Sequence, residues 1–436
     1  MIQLVVLMVT AMLIVTVFIF HRDVAAPAFL LVVTIWISMV FNWAFNTTYQ
    51  FSNIEFAKVL GVGVGAFVLA AYLTALIDSR GRRPSIYPLK AISIPSMQLI
   101  VYLVFQLLLF GMILLMIHRT TGGSLGLSSL SKTVGAYYEL ARTGSKAGSS
   151  IVSIGQILNF SGIYYLLFVY ANNKLHGMHN SRLLIFNILI GVAGSLLTGT
   201  KTTFFMYIIT VFIYFTVIRS KLFGWKKSIN IRAVFIAGFL FILLVFLFNF
   251  LNEFQGRTLQ DMNSFEVLSS YLGAPMKNLE LFLGEGHLHQ NLFGAQTFSS
   301  TYSRVYDFTK NSYFQVASYY QYRWWNGVGL GNVYTLFMPL YADFGLAGVG
   351  GMMAFLGMFC QAIYDHIKFT SSPRVTYFIM FYGYLAFSIM FSFFSNKFFE
   401  SIFSMEGIYF IVGIGVFDLY FRRLSFRTTQ HIQSLR

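Results

Sequence analysis

Five basic side chains, Arg142, Lys201, Arg257, Arg304 and Arg323, fall in the segments that join long apolar stretches rather than inside those stretches. Guanidinium forks bind phosphate oxygens two at a time and an ammonium adds a point charge, so such a set held at one height suits a diphosphate-bearing ligand. Each one singly is equally suited to reaching lipid headgroups. Together, with the short turn Thr198-Gly-Thr-Lys-Thr-Thr203 fixing Lys201, they read as a site.

A second set of residues suits proton transfer. Asp343 opens an apolar segment in the run Asp343-Phe-Gly345-Leu-Ala-Gly348. A carboxylate against hydrocarbon is costly unless it is paired or faces water. Asp343 is therefore either the cap of the helix that Phe344 opens or part of a site. Glu285 and His287, in Glu285-Gly-His287-Leu-His289, are further candidates for a general base. No paired ligand motif accompanies the two imidazoles, so no metal and no cofactor is expected. P-loop, zinc-protease and nucleophile-elbow signatures are absent from the sequence. The aromatic run Tyr319-Tyr-Gln-Tyr-Arg-Trp-Trp325 suits a membrane interface, and carbohydrate stacking on the same rings is the sharper alternative.

The elements that must hold these residues follow from composition. Hydrophobic residues make up 57% of the 436 positions and charged residues 10%, a balance that excludes a soluble globular chain. Windows of about 20 apolar residues predict eleven spans, at 2–20, 26–45, 58–77, 97–117, 156–171, 183–199, 202–218, 233–251, 345–364, 376–394 and 405–421. The first lacks a basic leader and a cleavage site and is expected to remain as a helix. Alternate loops and the tail carry 18 basic residues against three acidic ones, whereas the other loops carry 12 against 11. The positive-inside rule then puts the N-terminus outside and the C-terminus in the cytoplasm. The net charge of +15 is thus mainly topogenic, and nucleic acid is not indicated as a partner. The lone Cys360 allows no internal disulfide.

The chain divides into 1–251, holding spans one to eight and an outer loop at 118–155; an outer loop at 252–344; and 345–436, with three spans and a basic tail. Long loops on a rigid scaffold carry function. The large loop is expected to contain surface helices near 264–283 and 296–322, and the smaller one turns amphipathic toward Tyr137-Tyr-Glu-Leu-Ala-Arg142. The sequence shows no internal repeat of the transporter kind.

Gly294-Ala-Gln-Thr-Phe298 in the large loop, Asn332-Val-Tyr-Thr335 and the Asp343-Phe-Gly345 run together resemble the Wzy-type oligosaccharide repeat unit polymerases of bacterial inner membranes. The resemblance implies an all-α polytopic fold similar to the GT-C type and an inverting, metal-independent glycosyl transfer on the periplasmic face. Donor and acceptor would both be oligosaccharides on undecaprenyl diphosphate, with membrane lipids and a chain-length regulator protein as further partners. Arg142, Arg257 and Arg323, with Lys201 and Arg304, would hold the diphosphate. Asp343, His287 or Glu285 would handle the proton, and Asn332, Tyr334 and Trp324 would contact the glycan. The family's Gly-Ser-Arg turn is Gly199-Thr-Lys201 here, which keeps the charge and loses the fork. The neighbouring readings are an O-antigen ligase, which delivers a similar glycan to lipid A core, and a lipid-linked oligosaccharide flippase.

Overall fold

A computed structural model describes the chain except for residues 88, 125, 127–128, 143–149, 198–200, 226–263, 286–291, 317–319 and 424–436. Eight described helices are long and apolar enough to cross a membrane: α1 (Ile2–Ile19), α2 (Pro27–Ala44), α3 (Ile54–Ser79), α4 (Ser96–Thr121), α6 (Ser150–Leu175), α8 (Lys201–Phe223), α11 (Phe337–Phe369) and α12 (Val375–Met390), which a 3-10 turn carries on to Phe393. The architecture is that of an all-α polytopic membrane protein. Two further expected spans are short helices, α7 (Arg182–Leu196) and α13 (Met405–Asp418), the latter continued by a π turn at Leu419–Arg423. The span expected at 233–251 lies outside the described residues.

Local chemistry explains the helix ends. Pro27 occupies the first turn of α2, where its missing N–H costs nothing. Asn53 and Ser181 cap α3 and α7 by accepting backbone N–H bonds from Glu55 (2.9 Å) and Leu184 (3.1 Å). Gly122 closes α4 in the left-handed region, at φ 65°. Leu4, Leu7, Leu107 and Leu108 stand exposed on the flanks of α1 and α4, as side chains that face hydrocarbon do.

The helices pack as two groups. α1, α2 and α3 gather with α11, which runs along α3. Small residues permit that approach: a Cβ on Gly357 would strike the backbone of Phe67, and one on Gly63 would strike Phe337. The second group is α4, α6, α7, α8 and α13, joined to the first through α12. Outside the spans, α5 (Leu130–Arg142) leans on α4, α9 (Ser264–Leu283) on α2, and α10 (Ser299–Thr309) on the irregular stretch 398–402. α5 matches the amphipathic stretch expected near 137–142. α9 matches the expected bounds 264–283 but is not a surface helix, since Met276, Lys277, Asn278, Leu279 and Glu280 are all buried where it packs on α2 and on residues 328–331. The helix expected at 296–322 does not run that far. Lys310 takes φ 55° and Asn311 caps a new turn by accepting from Tyr313, so the helix stops at Thr309. Beyond it, β1 (Arg323–Trp325) and β2 (Val328–Gly331) form an antiparallel hairpin.

One end of the bundle carries α5, α10 and the hairpin of the long connections and is termed the loop end below. At the opposite end Lys221 is buried, and its Nζ donates to the carbonyls of Ile367 (2.7 Å) and Thr370 (2.7 Å). It therefore caps the C-terminus of α11, where the carbonyls lack helical partners and a cation is favoured.

Candidate functional site

A cavity of about 560 Å³ opens among α4, α6, α7, α8, α12 and α13. Its lining residues come from the middle of α4 and from the loop-end part of every other helix, so it reaches from the loop end to about mid-depth. Position along each helix sorts the walls into two levels. Nearest the loop end are Ser153, Thr202, Lys397, Ser401 and Glu406, with Arg304 from α10 laid over them. Deepest are Gln106, Asn159, Phe160, Tyr207, Tyr384 and Phe410.

The floor is aromatic and neutral. Phe160 and Phe410 lie 5.5 Å apart between centroids, and Phe410 and Tyr384 lie 4.3 Å apart. Gln106 and Asn159, both buried, tie three helices together beneath the rings. Gln106 Nε2 donates to Asn159 Oδ1 (3.0 Å) on α6 and to the Asn187 carbonyl (3.1 Å) on α7, and Tyr102 donates its hydroxyl to Asn159. Gly191 is needed here, because a Cβ at that position would meet Gln106 and Ile163.

The mouth is charged, and its cations have carboxylate partners. Arg304 Nη2 pairs with Glu406 Oε1 at 3.1 Å, and Lys397 Nζ pairs with Glu400 Oε2 at 2.6 Å. Glu406 stands in the first turn of α13, whose cap Ser404 accepts its backbone N–H at 3.2 Å. An acid is favoured in that turn by the helix dipole.

Asp343 does not cap the helix beyond it. It lies inside α11, which begins at Phe337 and is interrupted at Gly345, whose φ of 64° and ψ of −165° suit only glycine. Its carboxylate accepts the backbone N–H of Gln296 (3.1 Å) and of Thr297 (2.6 Å), both buried residues. Asn396 Nδ2 donates to the Thr297 carbonyl (3.1 Å). The Gly294-to-Phe298 and Asp343-Phe-Gly345 motifs, separate in sequence, are thus one joint. It fixes the start of α10, and so the height at which Arg304 crosses the cavity.

Arg323 belongs to a different cluster. Its fork meets both oxygens of Glu285 (2.5 and 2.6 Å), and its Nε donates to the Tyr334 hydroxyl (2.6 Å). Burial alone would lower the pKa of Arg323, but the bonds from Glu285 and Tyr334 more than offset it and hold it above its ordinary value. Tyr334 is itself buried, which raises its pKa. The hairpin carrying Arg323 is pinned from behind: Trp325 donates to the Thr48 carbonyl (3.1 Å) and lies 4.0 Å from the Lys277 ammonium. Lys277 is in turn buried against Glu280 at 2.5 Å.

No family model matches the chain, and neither a curated protein nor a solved structure matches it.

Of the residues singled out by sequence, the structure places Arg304 on the cavity and Lys201 next to the lining pair Thr202 and Thr203. Glu285, Arg323 and Tyr334 form the separate cluster. Trp324 stands 66% exposed beside Tyr322, open to a partner, and Asn332, exposed as well, directly follows Gly331 at the end of the hairpin. His287 and Arg257 lie outside the described residues, as do the side chains of Arg142 and Lys201. Among the described residues no three His, Cys, Asp or Glu side chains come together as a metal site would need. The sequence reading missed Gln106, Asn159, Lys397 and Glu406. Glu406 carried a signal: like Asp343, it is an acid at the entrance of an apolar segment.

Proposed function

We propose that the chain is a membrane glycosyltransferase of the Wzy type, which polymerises oligosaccharide units carried on undecaprenyl diphosphate at the periplasmic face of a bacterial inner membrane. The observation that carries this reading is the cavity: hydrogen-bonding and aromatic within, charged at the mouth, and confined to the end that bears the long loops. The positive-inside count supports placing that end outside the cytoplasm. The resemblance of the loop motifs to the polymerase family supports the same chemistry.

In this reaction an acceptor hydroxyl oxygen bonds to the anomeric carbon of the growing chain. The bond from that carbon to the diphosphate oxygen breaks, and the hydroxyl proton passes to a carboxylate. Arg304 and Lys397 at the mouth would take up the charge that grows on the departing diphosphate, each exchanging its present carboxylate for phosphate. Glu406, released from Arg304 as phosphate takes its place, would accept the proton. Asp343 and Glu285 are less suited to that task, because backbone N–H groups occupy the first and a guanidinium the second.

The test is the ladder of lipid-linked glycan lengths in a strain lacking its own copy, at matched protein level. Arg304→Ala and Glu406→Gln should each reduce it to single repeat units. Wild-type ladders from both variants would overturn the assignment.

A further inference from the structure

The two cations at the cavity mouth stand on separate elements, Arg304 on α10 and Lys397 in the irregular stretch between α12 and α13. A diphosphate held by both needs them at a set separation, because a guanidinium fork and an ammonium each bind only within hydrogen-bonding reach. Their carboxylate partners do not provide it. Water still reaches the Arg304–Glu406 and Lys397–Glu400 pairs, and pairs of that kind hold a backbone weakly.

The separation is set beneath the mouth by one buried side chain. Asn396, adjacent to Lys397, is fully buried and lines no part of the cavity. Its Nδ2 donates to the Thr297 carbonyl at 3.1 Å. A carbonyl only accepts, so the atom facing it is the nitrogen and the amide has one orientation. The backbone carbonyl of Asn396 accepts the Glu400 N–H at 3.0 Å, closing the turn on which Lys397 sits. Thr297 is held on its other sides as well. Its N–H goes to Asp343 (2.6 Å) and its hydroxyl to the Pro339 carbonyl (3.3 Å), and α10 begins just beyond it at Ser299. Phe298 and Phe399 pack edge to face at 5.3 Å and keep the two segments aligned. One amide therefore ties the start of the helix that carries Arg304 to the turn that carries Lys397.

We infer that Asn396 is a positioning residue, setting the separation of Arg304 and Lys397 so that one diphosphate engages both. This deepens the polymerase reading and rests on it for the diphosphate. Because Asn396 is sealed away from any ligand in the cavity, its effect passes wholly through the two cations.

The experiment uses the full chain in nanodiscs with Ser153→Cys as reporter, since Ser153 is exposed at the mouth and the native Cys360 is buried. Labelling by a methanethiosulfonate reagent is followed while inorganic pyrophosphate is titrated in. Pyrophosphate should protect, and Asn396→Leu, which keeps the volume and removes the donor, should weaken that protection about tenfold. In an Arg304→Ala background, where Lys397 alone retains a weaker protection, the same substitution should change it by less than about twofold, because a separation has no meaning once one cation is gone. A residue that merely stiffened the fold would weaken protection about tenfold in both backgrounds. The native chain gives an independent reading by hydrogen exchange, which serves even where Asn396→Leu fails to accumulate. Pyrophosphate should slow exchange together in the peptides holding Thr297 and Glu400, whose amides lie on either side of the link. Protection that survives Asn396→Leu, an equal loss in both backgrounds, or slowing in only one of the two peptides overturns the inference, and the polymerase reading then stands if the glycan ladder still depends on the chain. Absence of protection in the parent chain overturns the inference together with the anion-binding mouth. If the coupling holds while the ladder is indifferent to the chain, the positioning role stands and the polymerase reading falls.

Discussion

Replacing Asp343 by Asn separates an anchoring carboxylate from a catalytic one. Its two oxygens accept the N–H groups of Gln296 (3.1 Å) and Thr297 (2.6 Å), and both residues are buried, so water cannot readily replace the acceptor. Asn has one carbonyl oxygen, and its amide nitrogen would turn a donor toward the second N–H. With about 2 kcal/mol for each bond to a charged acceptor, amide exchange at 296–297 should speed up about 30-fold in Asp343→Asn and about 1,000-fold in Asp343→Ala, where both bonds go. Hydrogen exchange with mass spectrometry on the peptide spanning these residues, in nanodiscs, reads both values. Anchoring further predicts that the glycan ladder shortens in the same order, wild type above Asn above Ala, because Arg304 is displaced by degrees. Unchanged exchange in Asp343→Ala would refute the joint. Native exchange in Asp343→Asn together with a lost ladder would return the residue to acid–base chemistry.

Three other perturbations probe the frame around the cavity. Arg323→Lys keeps the charge but cannot span both oxygens of Glu285 and also reach Tyr334, so the hairpin should loosen by about 1 kcal/mol, a small value because Glu285 is 53% exposed; faster proteolysis at 323–331 checks it. Lys221→Met removes the cation that caps α11 through the Ile367 and Thr370 carbonyls and should lower stability by about 2–3 kcal/mol, seen as a drop in the midpoint of thermal unfolding. Burial raises the pKa of Tyr334 above its ordinary 10.0 and raises that of Tyr320 as well, so the fold favours their neutral forms. Their contribution is complete below the unfolded value and is lost as pH climbs above 10.0 through the folded values, so alkaline titration should release the 320–334 segment only in that range.

What could be read from the chain depended on whether one residue or a relation between residues carried the signal. Length and apolarity made the long helices legible, and an amphipathic stretch pointed to α5; α9 was legible as a helix, but the burial of its Lys277 together with Glu280 was not. The spans gave no amphipathic periodicity. In a bilayer the face toward lipid and the face toward protein are both apolar, so period carries little orientation and the cavity wall cannot be picked out by counting. Gln106 and Asn159 each lie among apolar residues of separate spans, and the bonds that Gln106 makes, to the Asn159 side chain and the Asn187 carbonyl, join positions 53 and 81 residues apart. The same separation hid the joint at Asp343, whose partners lie 46 and 47 residues upstream. The sequence marks Asp343 as a carboxylate that needs a partner and leaves open whether its own helix or a site would supply one. The break at Gly345 prevents the former, since the left-handed residue turns the chain just where a regular helix would have offered its first free N–H groups. Applied evenly, the rule that flagged Asp343 also flags Glu406, and there the structure does supply the cap locally, through Ser404, leaving the carboxylate side chain over the cavity. Two acids at span entrances thus differ in what already occupies their oxygens: backbone N–H groups hold Asp343 as an anchor, whereas Glu406 meets the guanidinium of Arg304.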